Sequence, residues 1–384
     1  MATKLKETAG SPGMAAAGKA TAARRIAIVG PSSASLRRLR GSLIGAIAAK
    51  RHSVMCFAPE FADADAKPLD ALGVERRTLP KRAPEFQFFR ERRFVVSLAE
   101  EFTAWRPHVV LAYGGETALK TVKAARKARI ERIVALVNEL PAGSNAATLK
   151  IVSRTLELAD SAVFHNGDDP KTLARFGRLP GDVPFVVVPG AGVDLARHRV
   201  QPLPPLGEGL VFLMIARLDT AKGALDYCAA AQVLKARAPS ARFRFAGPPG
   251  SGVTGLAASA IDPYRDSVEY LGPLEDVRPA LGACHVYVYP SHAEGMPRSV
   301  LEAMAAGRPI ITTNVAGCRD TVDERVNGCL VPPGDPEALA AAMESFLKRP
   351  DLIPPIARAS RAKAERRFDE RAVNAALMEA LGLG

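Results

Sequence analysis

The stretch YPSHAEGMPRSVLEAMAAGRPIITTNVAGCRDTV, residues 289–322, decides the reading of this chain. It predicts a buried strand over 285–290, a turn holding Glu294 and Gly295, and a helix opening near Arg298 with Glu302 one turn in. Pro297 suits the first helical position, where its missing N–H leaves nothing unsatisfied and its φ is already set. The carboxylates of Glu294 and Glu302 then meet in one crevice at the carboxyl end of a strand, where open α/β sheets bind ligands. The turn and helix start offer backbone N–H groups and partial positive charge to a phosphate. The carboxylates accept paired hydrogen bonds from vicinal hydroxyls. Phosphate and polyol together describe a nucleotide sugar.

Outward from this stretch, apolar runs alternate with amphipathic ones. Strands are expected at 24–30, 53–59, 73–79, 108–113, 132–137, 161–166 and 185–190, and again at 210–216, 241–247, 268–272, 285–290, 309–313 and 328–332. Helices are expected between them, among them 35–50, 116–129 and 298–306. Near-continuous apolar strands separated by helices predict parallel, doubly wound sheets. The Pro- and Arg-rich linker near 194–207 marks the boundary. The expected fold class is α/β: a disordered tail (1–23), a first Rossmann-like domain (24–200), a second (201–363) and a terminal helix (364–384).

The 289–322 stretch closely resembles the signature of retaining GT-B glycosyltransferases of family 4, whose Glu-x7-Glu pair falls on Glu294 and Glu302. ARLDTAKG (216–223) resembles that family's Arg-x4-Lys element, on Arg217 and Lys222. The wording around PGAGVDL (189–195) and GCRDTV is most similar to the capsule, O-antigen and polyprenyl-diphosphate-linked glycan branch. The resemblance is strong over about 160–345 and weak over 1–110. It implies two Rossmann-like domains facing each other across a cleft, and a terminal helix packed back on the first.

The resemblance also implies roles. Arg217 and Lys222 neutralise the leaving nucleoside diphosphate, Glu294 binds the donor sugar's hydroxyls, and Glu302 binds the ribose. The backbone of Gly295, Met296 and Pro297 lines the sugar–phosphate pocket, and Ser299, Val300 and Leu301 present N–H groups to the diphosphate. Arg298 reads equally as a phosphate contact or a solvated first-turn residue. The implied activity is transfer of a hexose or N-acetylhexosamine, with retention, from a UDP-linked donor to a lipid-linked or polysaccharide acceptor in cell-surface glycan biosynthesis (lipopolysaccharide or capsule). No cofactor and no metal site are expected.

Composition fits two globular domains: 384 residues, 48% apolar and 24% charged. No apolar run reaches the roughly 18–20 residues needed to span a bilayer, and the N-terminal residues lack the apolar core of a secretory signal. The five cysteines show no metal-ligand spacing and read as reduced structural thiols. Charge is uneven. Residues 1–200 hold 32 Lys and Arg against 19 Asp and Glu, while residues 201–384 hold 20 against 21. A basic first domain suits peripheral contact with an anionic cytoplasmic membrane face; solubility charge is the bland alternative.

The acceptor half is less legible. The turn GPSSAS (30–35) brings Ser32 and Ser33 forward as cleft candidates, with helix capping as the plainer reading. Arg37, Arg38 and Arg40 read mostly as a solvated face, with one or two reaching an anionic acceptor. Glu116 and His165 are the remaining candidates at strand ends. PEFQFFRERRF (84–94) and the stripe Lys120, Lys123, Arg126 and Lys127 are candidate docking surfaces, and Asp63-Ala64-Asp65 reads as an acidic surface loop.

Rival functions fare worse. A dehydrogenase is excluded because GPSSAS lacks G-x-G-x-x-G. A nucleotide-sugar epimerase or other GT-B enzyme, and a non-enzymatic basic membrane-binding protein, remain as alternatives. No nucleic-acid motif is present.

Overall fold

The computed structural model describes residues 22–79, 87–140 and 144–384, with backbone alone for 87–91 and 208. Two parallel sheets organise it. The first contains β1 (Arg25–Val29), β2 (Ser53–Ala58), β3 (Glu75–Thr78), β4 (Val109–Tyr113), β5 (Arg132–Val137), β6 (Ser161–Phe164) and β7 (Phe185–Val187), in the order β3-β2-β1-β4-β5-β6-β7. The second contains β8 (Val211–Ile215), β9 (Arg242–Ala246), β10 (Val268–Tyr270), β11 (Val286–Tyr289), β12 (Ile310–Thr313) and β13 (Gly328–Val331), in the order β10-β9-β8-β11-β12-β13. Helices cover both faces, so central strands such as β1, β4 and β11 are buried on both sides and need apolar residues at every position.

Strand order fixes where ligands bind. In each sheet the chain first winds one way and then the other, from β1 to β4 in the first and from β8 to β11 in the second. Reversal opens a crevice at the carboxyl ends of those strands. The loop after β8 carries Arg217 and Lys222, and the loop after β11 carries Glu294.

Several local expectations change. The predicted 35–50 helix is broken: Ser33–Ser35 is one turn, Leu36–Arg40 is a π-turn, and Gly41–Ala49 is α-helical. Pro297 is the N-cap of helix Arg298–Ala305 rather than its first residue, with extended backbone (φ −76°, ψ 104°). The acidic "loop" is a helix, Asp63–Asp70, whose Asp65 is buried against Ser33 and Arg37. At the C-terminus, helix Ile353–Arg367 ends at Phe368, and a separate helix Glu370–Ala380 follows, capped by Asp369. That last helix lies on Gly41–Ala49 and ties to the first sheet through Asn374–Ser42 (2.7 Å) and Arg132–Ala380 O (2.7 Å).

No helix among the described residues is long and apolar enough to cross a membrane. Of the phenylalanine cluster, Phe86, Phe88 and Phe89 lie outside the described side chains; Phe94 packs partly buried on the first core. The lysine stripe is not one open face. Lys120 and Lys123 are half-buried, Lys120 pairs with Glu116 (3.3 Å), and Arg126 pairs with Asp160 (2.6 Å).

Candidate active site

The centre of the crevice is an ion pair. Lys222 Nζ lies 2.8 Å from Glu294 Oε2, and Tyr289 OH donates to the same oxygen at 2.7 Å. Gly223 makes this approach possible: it is left-handed (φ 71°), and a Cβ there would overlap the Pro290 carbonyl. The 220–222 turn is also stitched to the loop after β11, since Ala221 O accepts from His292 N (2.9 Å) and Ser291 Oγ (3.1 Å). Burial opposes the charge on Lys222, but Glu294 and Glu139 outweigh it and hold its pKa above the ordinary value. Burial and Glu294 drive the Tyr289 phenol well up, so it is a donor. Oε1 of Glu294 takes no partner among the described residues.

Glu302 lies on the next helix. Its Oε1 accepts from Arg298 Nε (3.1 Å) and faces His198 Nε2 at 3.9 Å. Burial lowers the His198 pKa, although Glu302 opposes this. Arg298 also reaches across to the Arg38 carbonyl of the first domain. The expected row of helix-end donors is shorter than predicted. The N–H groups of Val300 (3.1 Å) and Leu301 (3.2 Å) both go to the Pro297 carbonyl, leaving those of Arg298 and Ser299. Met296 packs against Gly190 of the first domain.

Arg217 stands apart. Its side chain is 54% exposed and 3.8 Å from Asp219, so it lies on the rim. Its charge is nonetheless felt at Glu139.

Glu139, at the carboxyl end of β5, is a residue that the sequence reading missed. Its Oε2 accepts the Gly295 N–H at 3.1 Å. Its side chain keeps exposed surface. Desolvation and then the Glu294 charge push its pKa up, while Lys222 pulls it down. The signal that could have found it was positional: an acid just past a buried strand of the first sheet, where such sheets place ligand contacts.

The other acceptor-side candidates do not join this centre. Ser32 caps the first turn by accepting from Ser35 N (3.2 Å). Ser33 gives its hydroxyl to buried Asp65 (2.8 Å). Glu116 is exposed and paired with Lys120. His165 is buried, 3.2 Å from Arg40 Nη2. A guanidinium only donates, so His165 Nε2 is the acceptor and its proton sits on Nδ1. Burial, then the Arg40 charge, drives its pKa far below the ordinary value. It is not placed to take a proton from an acceptor.

The two domains meet at Gly295. A Cβ on that residue would overlap the Asn138 carbonyl, and Asn166 Nδ2 donates to the Gly295 carbonyl at 3.2 Å. The two crevices therefore face each other across a narrow gap.

Two Rossmann-like domains opposed in this way define the GT-B architecture. The solved structure of Anabaena Alr3699/HepE in complex with UDP and glucose matches it with a TM-score of 0.77 at 17% identity, over 94% of this chain and 99% of that one. Residues 209–349 match the family described as Glycosyl transferases group 1. The matched segment holds Arg217, Lys222, Glu294 and Glu302.

Among curated relatives, it is 30% identical over 210 residues to WcaL of Escherichia coli (strain K12), named provisionally as a colanic acid biosynthesis glycosyltransferase, covering 51% of each chain. It is 27% identical over 198 residues to the amylovoran biosynthesis glycosyltransferase AmsK of Erwinia amylovora, covering 50% of this chain and 49% of that one. The chain spans about half the length of these curated relatives that it matches.

Proposed function

We propose that this chain is a glycosyltransferase that moves a hexose or N-acetylhexosamine from a UDP-sugar to a lipid-linked or polysaccharide acceptor in cell-surface glycan biosynthesis. The observation that carries this reading is the Lys222–Glu294 pair at the switch-point crevice of the second sheet, 2.8 Å across. Glu294 Oε1 accepts from a sugar hydroxyl, while Lys222 keeps Glu294 and gives its remaining N–H groups to the diphosphate. Glu302 takes the ribose hydroxyls. The N–H groups of Arg298 and Ser299, with Arg217 at the rim, take the rest of the phosphate charge. The UDP and glucose named with the Anabaena protein, and the colanic acid and amylovoran biosynthesis named with the relatives, support this choice of donor and acceptor.

In the reaction, the bond from C1 of the sugar to the diphosphate oxygen breaks, and a bond from the acceptor oxygen to C1 forms on the same face. The acceptor's proton passes to the departing phosphate oxygen. Cations aimed at that oxygen lower the barrier because charge grows there. Glu139, facing the sugar from the first domain, orients the acceptor hydroxyl. The basic first domain holds the protein against an anionic membrane, in the manner of a peripheral protein.

The test is incubation with labelled UDP-, GDP- and ADP-sugars and native membranes. Label entering lipid or polysaccharide from a UDP-sugar supports the proposal; no transfer from any of the three overturns it. Vesicle sedimentation at low and high salt tests the membrane contact, with binding to anionic vesicles lost at high salt as the expected result.

A further inference from the structure

Arg40 has no ordinary reason to be where it is. It is fully buried (0% exposed), and no carboxylate pairs with it among the described residues. Burial brings its pKa down to about 10. Its Nε and Nη1 have no partner among the described residues, and it ends the π-turn Leu36–Arg40, a distortion common at functional sites. A desolvated, unpaired cation is poor evidence of stability; such groups are retained in some proteins because they select one conformation.

The bonds that Arg40 does make show which conformation it selects. Its Nη2 donates to Asn138 Oδ1 at 2.6 Å and to His165 Nε2 at 3.2 Å, and its guanidinium lies 5.1 Å from the centre of the Tyr113 ring. Tyr113 ends β4, Asn138 follows β5 and His165 follows β6. One side chain thus ties together the carboxyl ends of three strands.

The next residue along each bonded arm touches the other domain. After Asn138 comes Glu139, which accepts the Gly295 N–H; after His165 comes Asn166, which donates to the Gly295 carbonyl. Both polar groups of the Gly295 peptide, adjoining Glu294, are therefore held by residues one step from an Arg40 ligand.

We propose that Arg40 is a positioning residue: a buried clamp that sets the spacing of Glu139 and Asn166 so that they grip Gly295 and dock the Glu294 loop against the first domain. It touches neither donor nor acceptor. Its kinetic consequence rests on the sugar-transfer reading above; its geometric consequence does not.

The experiment compares wild type with Arg40→Met, Arg40→Lys and Asn138→Ala in the full chain, by hydrogen exchange at the Gly295 amide, UDP titration and steady-state transfer. Arg40→Met is expected to speed Gly295 exchange at least tenfold and lower kcat at least tenfold. UDP affinity stays within twofold, because the nucleotide contacts lie in the second domain. Arg40→Lys, keeping the charge and a donor but not the planar guanidinium beside the Tyr113 ring, recovers part of both losses. Should Arg40→Met fail to fold, Asn138→Ala gives the same reading, with faster Gly295 exchange. Gly295 exchange within twofold of wild type in the folded variants overturns the proposal. If wild type neither binds UDP nor transfers sugar, the enzyme assignment fails, and the exchange result still judges the clamp.

Discussion

Tyr289 and Lys222 converge on a single oxygen of Glu294, at 2.7 and 2.8 Å, from a strand end and from the loop of the neighbouring strand. Two donors on Oε2 hold that oxygen in place and leave Oε1 without a partner among the described residues. A hydrogen bond to a charged group contributes about 1.5–3 kcal/mol. Tyr289→Phe removes one donor and keeps the packing, so kcat should fall roughly tenfold or somewhat more while UDP affinity holds. Steady-state kinetics with UDP titration check this; unchanged kcat contradicts it.

Gly295 is confined from the first domain. A side chain there would collide with the Asn138 carbonyl, and backbone cannot retreat as a flexible side chain does. Gly295→Ala should therefore hold the two domains apart, with transfer down by at least roughly a hundredfold. UDP binding should survive, since Lys222 and Glu302 stay in place. Activity near that of wild type would show that the contact is dispensable.

In the proposed function Glu302 serves the ribose rather than the sugar. Glu302→Gln keeps the shape and loses the charge that strengthens hydrogen bonds to hydroxyls. The expected result is a UDP Kd raised roughly tenfold, with a smaller change in kcat at saturating donor. Calorimetric titration measures it; a Kd within twofold of wild type removes Glu302 from the nucleotide site.

Asp169 gives a pH signature. It is 4% exposed, accepts from Asn166 (3.0 Å) and Leu140 N (3.1 Å), and burial raises its pKa from 3.8 to about 6. The native protein therefore holds this proton more tightly than the unfolded chain does. The stability that Asp169 contributes is complete below pH 3.8 and is lost as pH rises through about 6. Relative to Asp169→Asn, wild type should lose roughly 2 kcal/mol between pH 4 and pH 7. Urea unfolding across that range reads the difference; a flat difference contradicts the shift.

The sheet strands were legible because parallel, doubly covered strands need unbroken apolar runs, and IAIV, VVLAY and VYVY supply them. The meeting of Lys222 with Glu294, and the place of Glu302 on the next helix, were legible because local strand–turn–helix chemistry and the resemblance to a family motif coincide there. The acceptor wall was not. Its geometry depends on contacts between β1, β4, β5 and β6, which lie far apart in sequence, and no periodic pattern records them. Arg40 was grouped with Arg37 and Arg38, as a solvated face with one or two reaching an acceptor, because all three are basic; the sequence does not show that Arg40, at the end of the π-turn, is buried. Glu139 was hidden for the same reason, since its partner Gly295 lies in the other domain. The Asp63–Asp70 helix was missed because Pro68 and the acidic residues resemble a loop, although Asp65 is needed to satisfy Ser33 and Arg37.

The most direct measurement is transfer from a labelled UDP-sugar by wild type and Lys222→Ala, with UDP affinity measured on both. The account predicts incorporation of label by wild type and a loss of roughly a hundredfold or more in kcat for the variant, the scale set by removing one preorganised charge-stabilising donor. Turnover within twofold of wild type would contradict the claim that the Lys222–Glu294 pair acts on the activated sugar.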